Sequence, residues 1–380
     1  MKYIDEYAKS YEDCAWIPFE ELEKFMEEAL IHSGVPAEDA KIIGDVLIES
    51  DKRGIDSHGI GRLKPIYIDR IDMGIMNPVT EIEVLKDQNA TAVLDAHNGM
   101  GHVAGYKAME MAIEKAKKYG LGMVAVRNSN HYGIAGYFAT MATKVGMIGI
   151  TGTNARPSIA PTHGVENMLG TNPLTFGLPT DEEFPFVLDC ATSVTQRGKI
   201  EVYGRAGKEL PEGWVLDHEG KTRTDTQQVL KDLTTGMAAL TPLGGIGEVT
   251  GGYKGFGYAT VVEILSAALQ DGSWMKALNG FDENQKAIPY PLGHFFLAID
   301  LEHFMGLETF KRIAGTICRE LRESKKAPGE DYIFTAGEKE YLAYQYRKEH
   351  GCPVPPSLQK VMVTLRDRFK MDYKWDFETK

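Results

Sequence analysis

Between Phe19 and Ile31 the apolar residues Leu22, Phe25, Met26, Ala29 and Leu30 recur at three- and four-residue intervals, with Pro18 before them and Gly34 after. That spacing predicts a helix with one buried face. A second helix opens near Pro36, carries Glu38 and Asp39 in its first turn and Ile43, Val46 and Leu47 on one stripe, and stops at Gly54. A third helical pattern, Leu63, Ile66, Tyr67 and Ile71, accommodates Pro65 only in its first turn. Then the period changes. Glu81 to Leu85 and Thr91 to Ala96 read as two strands of a hairpin around Gln88 and Asn89. Met123 to Val126, Met147 to Thr151, Phe186 to Leu188 and His294 to Ile299 read as further strands, and three amphipathic helices begin near Leu307, Ala336 and Pro356. The stretch from Gly204 to Asp225 is polar and glycine-rich and reads as surface excursions.

Helices at both ends with strands between them predict a mixed α/β protein of two domains. Residues 1–120 and 300–380 form a helix-rich unit for substrate and dimerisation, and residues 121–299 form a cofactor unit with a mixed or largely antiparallel sheet. One segment imitates a dinucleotide turn: Gly99, Gly101 and Ala104 follow the G-x-G-x-x-A order ahead of a long helix. A Rossmann turn needs a strand running directly into the glycines and an acidic residue ending the next strand. Here Ala96-His97-Asn98 intervenes and the next strand ends in Arg127-Asn128. We therefore expect a sheet of a different kind, with no phosphate on this turn.

A net charge of −12 disfavours general affinity for nucleic acid or anionic membrane, and any anionic substrate must meet a local cationic site. The four cysteines, Cys14, Cys190, Cys318 and Cys352, form no C-x-x-C pair, which points to reduced thiols and the cytoplasm. The polar start, Met1-Lys2-Tyr3-Ile4-Asp5-Glu6, matches neither a secretory signal nor a transit peptide, and no apolar run reaches membrane-spanning length.

The candidate chemistry centres on Asp56-Ser57-His58-Gly59-Ile60-Gly61-Arg62. Histidine exchanges a proton near neutrality, arginine grips a carboxylate with a planar fork, and residues four apart share a helical face. His131, in Asn128-Ser129-Asn130-His131-Tyr132-Gly133, falls at a strand end before an alanine-rich helix. Thr153-Asn154 and Thr171-Asn172 place short polar side chains beside small residues, where a ligand gains access to backbone amides or where the chain merely turns. Gly251-Gly252-Tyr253-Lys254-Gly255, at the entrance of an apolar helix, forms an anion cradle without the P-loop order. Two other classes stay open on these residues alone. One is a hydrolase that uses His58, His131 and Asp189 with Ser57 or a metal-bound water, although neither a nucleophile elbow nor an H-E-x-x-H helix is present. The other is a binding protein with an inactive cofactor site.

Taken together, Asp56 to Gly59 with Arg62, Asn128 to Gly133, Gly170-Thr171-Asn172-Pro173, Asp189 to Ser193, Pro242-Leu243-Gly244-Gly245 and Tyr253-Lys254-Gly255 resemble the malate/L-lactate dehydrogenase family that is unrelated to the Rossmann lactate dehydrogenases. That family includes ureidoglycolate, sulfolactate, diketogulonate and piperideine-carboxylate oxidoreductases. The resemblance implies a homodimer, NAD or NADP, no metal, and a small 2-hydroxy or 2-keto acid substrate. It implies Ser57, His58 and Arg62 at the substrate, with His58 or His131 as acid/base. It also implies Asn154, Thr171, Asn172, Asp189, Cys190, Ala191 and Lys254 at the cofactor, with Gly329, Glu330 and Asp331 in a late cofactor loop. Cys190 stands where the family usually has Met. Within the family, Arg156 in Thr153-Asn154-Ala155-Arg156-Pro157 resembles the malate-type members. A dicarboxylate needs a second cation, so the expected pair is malate and oxaloacetate, with L-lactate, ureidoglycolate or sulfolactate as alternatives.

Overall fold

The computed structural model describes residues 11, 13–205 and 207–378. Its centre is a seven-stranded sheet built from β1 (Glu83–Asp87), β2 (Thr91–Asp95), β3 (Leu121–Ser129), β4 (Met147–Thr153), β5 (Leu174–Leu178), β6 (Phe186–Cys190) and β7 (Leu292–Asp300). The order is β1-β2-β3-β7-β4-β5-β6. Only the β2–β3 pair is parallel, and every other pair is antiparallel. The sheet is therefore mixed and not doubly wound, as expected. The central strand β7 is buried on both sides along most of its length, which suits its near-continuous run Leu292-Gly293-His294-Phe295-Phe296.

Ten α-helices longer than two turns surround this frame among the described residues: α1 (Phe19–His32), α2 (Ala37–Lys52), α3 (Gly101–Tyr119), α4 (Ala135–Lys144), α5 (Arg197–Arg205), α6 (Thr226–Thr235), α7 (Gly252–Ala267), α8 (Leu307–Glu323), α9 (Glu338–His350) and α10 (Pro356–Phe369). Both chain ends build one helical core. In it Leu22, Phe25, Met26, Ile43 and Leu47 pack with Val354, Met362, Leu365 and Trp375, and Ala15–Ile17 pairs with Cys352–Val354. The helices on the sheet use small residues to come close. Ala104, Ala108, Ala112 and Ala116 of α3 lie in the same core as Phe138 and Phe296, and a Cβ on Gly105 would sit 2.9 Å from the Phe138 ring.

Two features differ from the pattern-based expectation. The sheet recruits β1, β2 and α3, so its core begins before residue 121, because the parallel β2–β3 pair needs a helical crossover and α3 supplies it. The glycine-rich stretch after Gly204 is not merely surface: Leu210 and Val215 join Ile159, Leu169, Ile200, Val229, Leu240 and Ala259 in a small separate core. Composition hid this because few apolar residues suffice for so small a lobe.

The third helix begins at Ile60 and is widened. Ile60–Arg62 is α-helical, Leu63–Ile68 is a π-turn, and Asp69–Asp72 is α-helical again. Pro65 lacks an N–H and cannot make an α-type bond, so it sits in the stretch where the helical ladder is re-phased. Among the described residues, no helix is long and apolar enough to cross a membrane.

Candidate active site

The loop between α2 and the widened helix carries Ser57, His58 and Gly59. Two anchors hold it. The buried carboxylate of Asp51 accepts the N–H of Ile60 at 2.8 Å, and Arg347 of α9 donates to the Asp51 carbonyl and to Asp56, with Nη2 3.0 Å from Oδ2. Burial first, and then the Asp56 charge, push the Asp51 carboxyl up to about 8. A Cβ on Gly59 would collide with that carboxylate, so the loop tolerates only glycine there.

This loop brings His58 against His131, which arrives from the segment between β3 and α4. Their rings stack with centroids 5.6 Å apart and planes 20° from parallel. Ser57 Oγ lies 2.8 Å from His58 Nδ1, and the hydroxyl of Tyr67 lies 2.6 Å from His131 Nδ1. The N–H of Gly133 points at the same His131 nitrogen from 3.4 Å. A backbone N–H only donates, and the Tyr67 hydroxyl has no other hydrogen-bond partner among the described residues. His131 Nδ1 is therefore an acceptor, and the ring hydrogen belongs on Nε2.

Both imidazoles are held neutral. Burial, and then the Arg62 charge, push His58 down to about 4. His131 is depressed further by burial, by His58 and His102, and by Arg70 and Arg62. His102 lies behind them, its ring 4.7 Å from that of Tyr67, fully buried and with neither nitrogen hydrogen-bonded.

Two guanidiniums, Arg62 and Arg70, stand near the histidines, and a third, Arg156, stands beyond them near Arg70. Arg62 is half-buried and donates through Nε to the Ser57 carbonyl. Arg70 lies over the Tyr290 ring at 4.6 Å, and its Nη1 is buried without a partner. Arg156, more exposed, lies 5.3 Å over the Phe281 ring. Burial, with repulsion from Arg156 and Arg62, pulls Arg70 down to about 10 despite the neighbouring Tyr67. No carboxylate among the described residues forms an ion pair with any of the three.

The residues expected at the cofactor divide into two groups. Asn154 is spent internally, donating to the Ser273 carbonyl at 3.0 Å and accepting from Gly293 N–H at 2.8 Å. Asn172 likewise donates to Ala259 and Glu263 and accepts from Ala155 N–H. The Asp189 carboxylate accepts from Gly136 N–H at 2.6 Å and from Thr175 at 3.0 Å, so it pins the start of α4 to the sheet and bonds neither histidine. These three side chains fix the chain around a site more than they face into it.

The other group is open. Residues 189–195 run beside the loop that feeds α7: Leu243 N–H donates to the Thr192 carbonyl at 2.8 Å, and Ser193 bridges Pro242. There the hydroxyls of Ser193 and Thr195 are buried with no partner. Gly252 and Gly255 press against the carbonyls of Gly245 and Leu243 too closely for a Cβ, and Lys254 is exposed at the entrance of α7. Unpaired hydroxyls, a tight glycine turn and a lysine at a helix N-terminus fit the ribose and phosphates of a dinucleotide. Thr171, Cys190 and Ala191 are half-buried along the same edge, while Gly329, Glu330 and Asp331 are exposed between α8 and α9. By contrast, the Gly99 to Ala104 turn is covered, since a Cβ on Gly101 would strike the Asn130 carbonyl and Asn130 Nδ2 donates to Gly99 O at 2.9 Å.

Sequence reasoning missed Tyr67, Arg70 and Thr195, whereas Ser193 closes the Asp189 to Ser193 motif already singled out. The signal for the first two was present, as Arg62, Tyr67 and Arg70 succeed one another along one helix, but an α-helical period splits them between faces.

A sequence model of the malate/L-lactate dehydrogenase family matches residues 17–363. The chain belongs to that family. It is a hydroxy-acid dehydrogenase, with the mixed, non-Rossmann sheet described above. A malate dehydrogenase of Pyrococcus abyssi is 46% identical over 363 residues, covering 95% of this chain and 96% of its own. An L-sulfolactate dehydrogenase of Methanocaldococcus jannaschii is 40% identical over 86% of this chain and 89% of its own. The crystal structure of malate dehydrogenase from Entamoeba histolytica superposes with a TM-score of 0.92 at 43% identity, covering 95% of this chain and all of that one. Among the described residues no cluster of three or more His, Cys, Asp or Glu could hold a metal ion.

Proposed function

We propose that this dehydrogenase interconverts malate and oxaloacetate with NAD or NADP. The observation that carries the reading is the stacked His58–His131 pair beside Arg62 and Arg70, with Arg156 next to Arg70, guanidiniums that have no carboxylate partner among the described residues. Buried cations without counter-ions are costly, and an anionic substrate supplies what they lack. The malate dehydrogenases among the relatives point the same way.

A bound nicotinamide would supply the acceptor for the hydride that leaves the carbinol carbon. Thr171, Cys190, Ala191, Lys254 and Gly329 to Asp331 would line its site, with Asn154, Asn172 and Asp189 holding the floor in shape. Arg62 grips the carboxylate next to the reacting carbon. His58 takes the hydroxyl proton: Nδ1–H donates to Ser57 Oγ and leaves Nε2 free as the base. His131, fixed with its hydrogen on Nε2, donates to the substrate oxygen and steadies the charge that grows there. Arg156 adds positive charge for a second carboxylate.

Sulfolactate is a second reading, because a guanidinium accepts a sulfonate as readily as a carboxylate and a relative at 40% identity carries that name. We further propose a homodimer, supported by the exposed Ile313, Ile317 and Leu321 along α8, and a cytoplasmic location, which suits four free cysteines. The test offers malate, sulfolactate, ureidoglycolate and L-lactate with each cofactor and follows the absorbance of the reduced nicotinamide. Faster turnover of malate than of the monoanions is expected. No turnover of any hydroxy acid would remove the reading.

A further inference from the structure

Arg70 stands in none of the family-like motifs, and packing alone does not account for it. It sits three residues beyond Tyr67 on the widened helix, and Tyr67 bonds His131, so the helix that carries Arg62 also delivers Arg70 to the wall of the same site. Its neighbours on that helix are already engaged: Asp69 pairs with Lys64 at 2.7 Å, and Asp72 pairs with Arg368 at 2.6 Å. Neither neutralises Arg70. The Tyr290 ring lies 4.6 Å from the guanidinium carbon, a contact that stabilises the cation but supplies no hydrogen-bond acceptor. The buried Nη1 lacks a partner, and Arg156 stands near enough to repel it.

We propose that Arg70 is the base of a second anion subsite, which seats the distal carboxylate or sulfonate of a dianionic 2-hydroxy acid, with Arg156 flanking it. This assignment rests on the dehydrogenase reading given above. An anion between the two guanidiniums would satisfy Nη1 and relieve their repulsion. The unpartnered Nη1 leaves a donor of the guanidinium available to a carboxylate, the group that a guanidinium binds with paired, charge-assisted bonds. Arg62 and Arg70 then fix the two ends of the substrate, so the carbinol carbon beside the Arg62-held carboxylate lies where His58 and His131 meet. A monoanionic hydroxy acid leaves Arg70 unpaired, and the subsite thereby selects for dianions by the cost of that vacancy.

The test compares wild type with Arg70→Met, which keeps apolar packing on Tyr290, and Arg70→Lys, which keeps the charge. Steady-state KM and kcat are measured on malate, sulfolactate and L-lactate, and cofactor affinity is measured separately by fluorescence titration. Arg70→Met should raise KM for malate and sulfolactate by about 100-fold, the scale of a charge-assisted pair, while lactate kinetics and cofactor affinity stay within about 3-fold. Arg70→Lys should give a smaller rise, about 10-fold, on the dianions alone, and it carries the test if the Met variant fails to fold. Equal losses on lactate and malate, or no loss on either, overturn the role of Arg70 and leave the dehydrogenase reading intact. A wild-type enzyme inactive on every hydroxy acid overturns both.

Discussion

Tyr67 and His131 are joined by a 2.6 Å bond between the phenol hydroxyl and Nδ1, and with the Gly133 N–H on the same nitrogen it sets which nitrogen of the imidazole carries hydrogen. Tyr67→Phe removes the donor and leaves only the long Gly133 N–H contact to hold the tautomer. We expect kcat to fall about 10-fold, the loss of one neutral hydrogen bond felt in the transition state, with substrate KM little changed. An unchanged kcat would show that the tautomer is set by other groups.

His58 must be neutral to accept a proton. Burial and the Arg62 charge hold it at about 4, below its ordinary 6.5, so the neutral base persists as pH falls through the range where a free imidazole would charge. The acid limb of kcat/KM for hydroxy-acid oxidation should accordingly lie well below 6.5. Arg62→Met, assayed at high substrate, should move that limb upward, because one of the two causes is gone. His58→Ala should lose about 100-fold or more in kcat. A limb that stays put in the Arg62 variant would mean that burial alone sets the value.

Arg62→Lys retains the charge and loses the fork. Its Nε contact with the Ser57 carbonyl is lost as well. Substrate KM should rise by roughly 10-fold or more, while the cofactor dissociation constant, measured by fluorescence, stays near wild type. Equal weakening of both ligands would place Arg62 outside the carboxylate site.

Much of this arrangement was legible beforehand. The helical ends, the hairpin and the rejected dinucleotide turn followed from periodicity and from what stands between Asp95 and Gly99, and the family motifs singled out His58, Arg62 and His131. Other parts were hidden because they depend on distance in space. Asn154 and Asn172 look like ligand groups in sequence, yet their amides are consumed by Ser273, Gly293, Ala259 and Glu263, residues about 90 to 140 positions away. Arg70 was invisible because its importance lies in an absent partner, and no local pattern encodes an unpaired guanidinium.

Gly59 touches the Asp51 carboxylate, and Gly59→Ala would drive a methyl group into it. The carboxylate must then move away from the Ile60 N–H, and the His58 loop moves with it. A kcat reduced by about 10-fold or more is expected, along with a loss of roughly 1–3 kcal/mol in unfolding free energy. Wild-type turnover and thermal midpoint in this variant would mean that the loop adapts without help from Asp51.

His102 offers a test of stability. Burial, and then the His294 charge, depress it from 6.5 to about 3, and neither nitrogen finds a partner. For a group depressed on folding, its contribution is fully present above the unfolded value and is lost as pH falls toward the folded value, at about 1.4 kcal/mol per unit. Asp51, raised on folding, has the opposite sign, so only the difference between variants isolates His102. His102→Leu should make the thermal midpoint decline less steeply than wild type between 6.5 and 3. Parallel curves would mean that His102 is protonated alike in the folded and unfolded chain.

The π-turn at Leu63–Ile68 amounts to one residue more than an α-helix would use. Removing a single residue from it would restore an ordinary helix and turn everything downstream by about 100° relative to Arg62. Tyr67 would swing away from His131, and Arg70 would face the helical core or the solvent. The reading frame of this helix, as much as the identity of its side chains, thus sets which way Arg62, Tyr67 and Arg70 face, and under the proposed roles it would let one short segment address both ends of a small diacid.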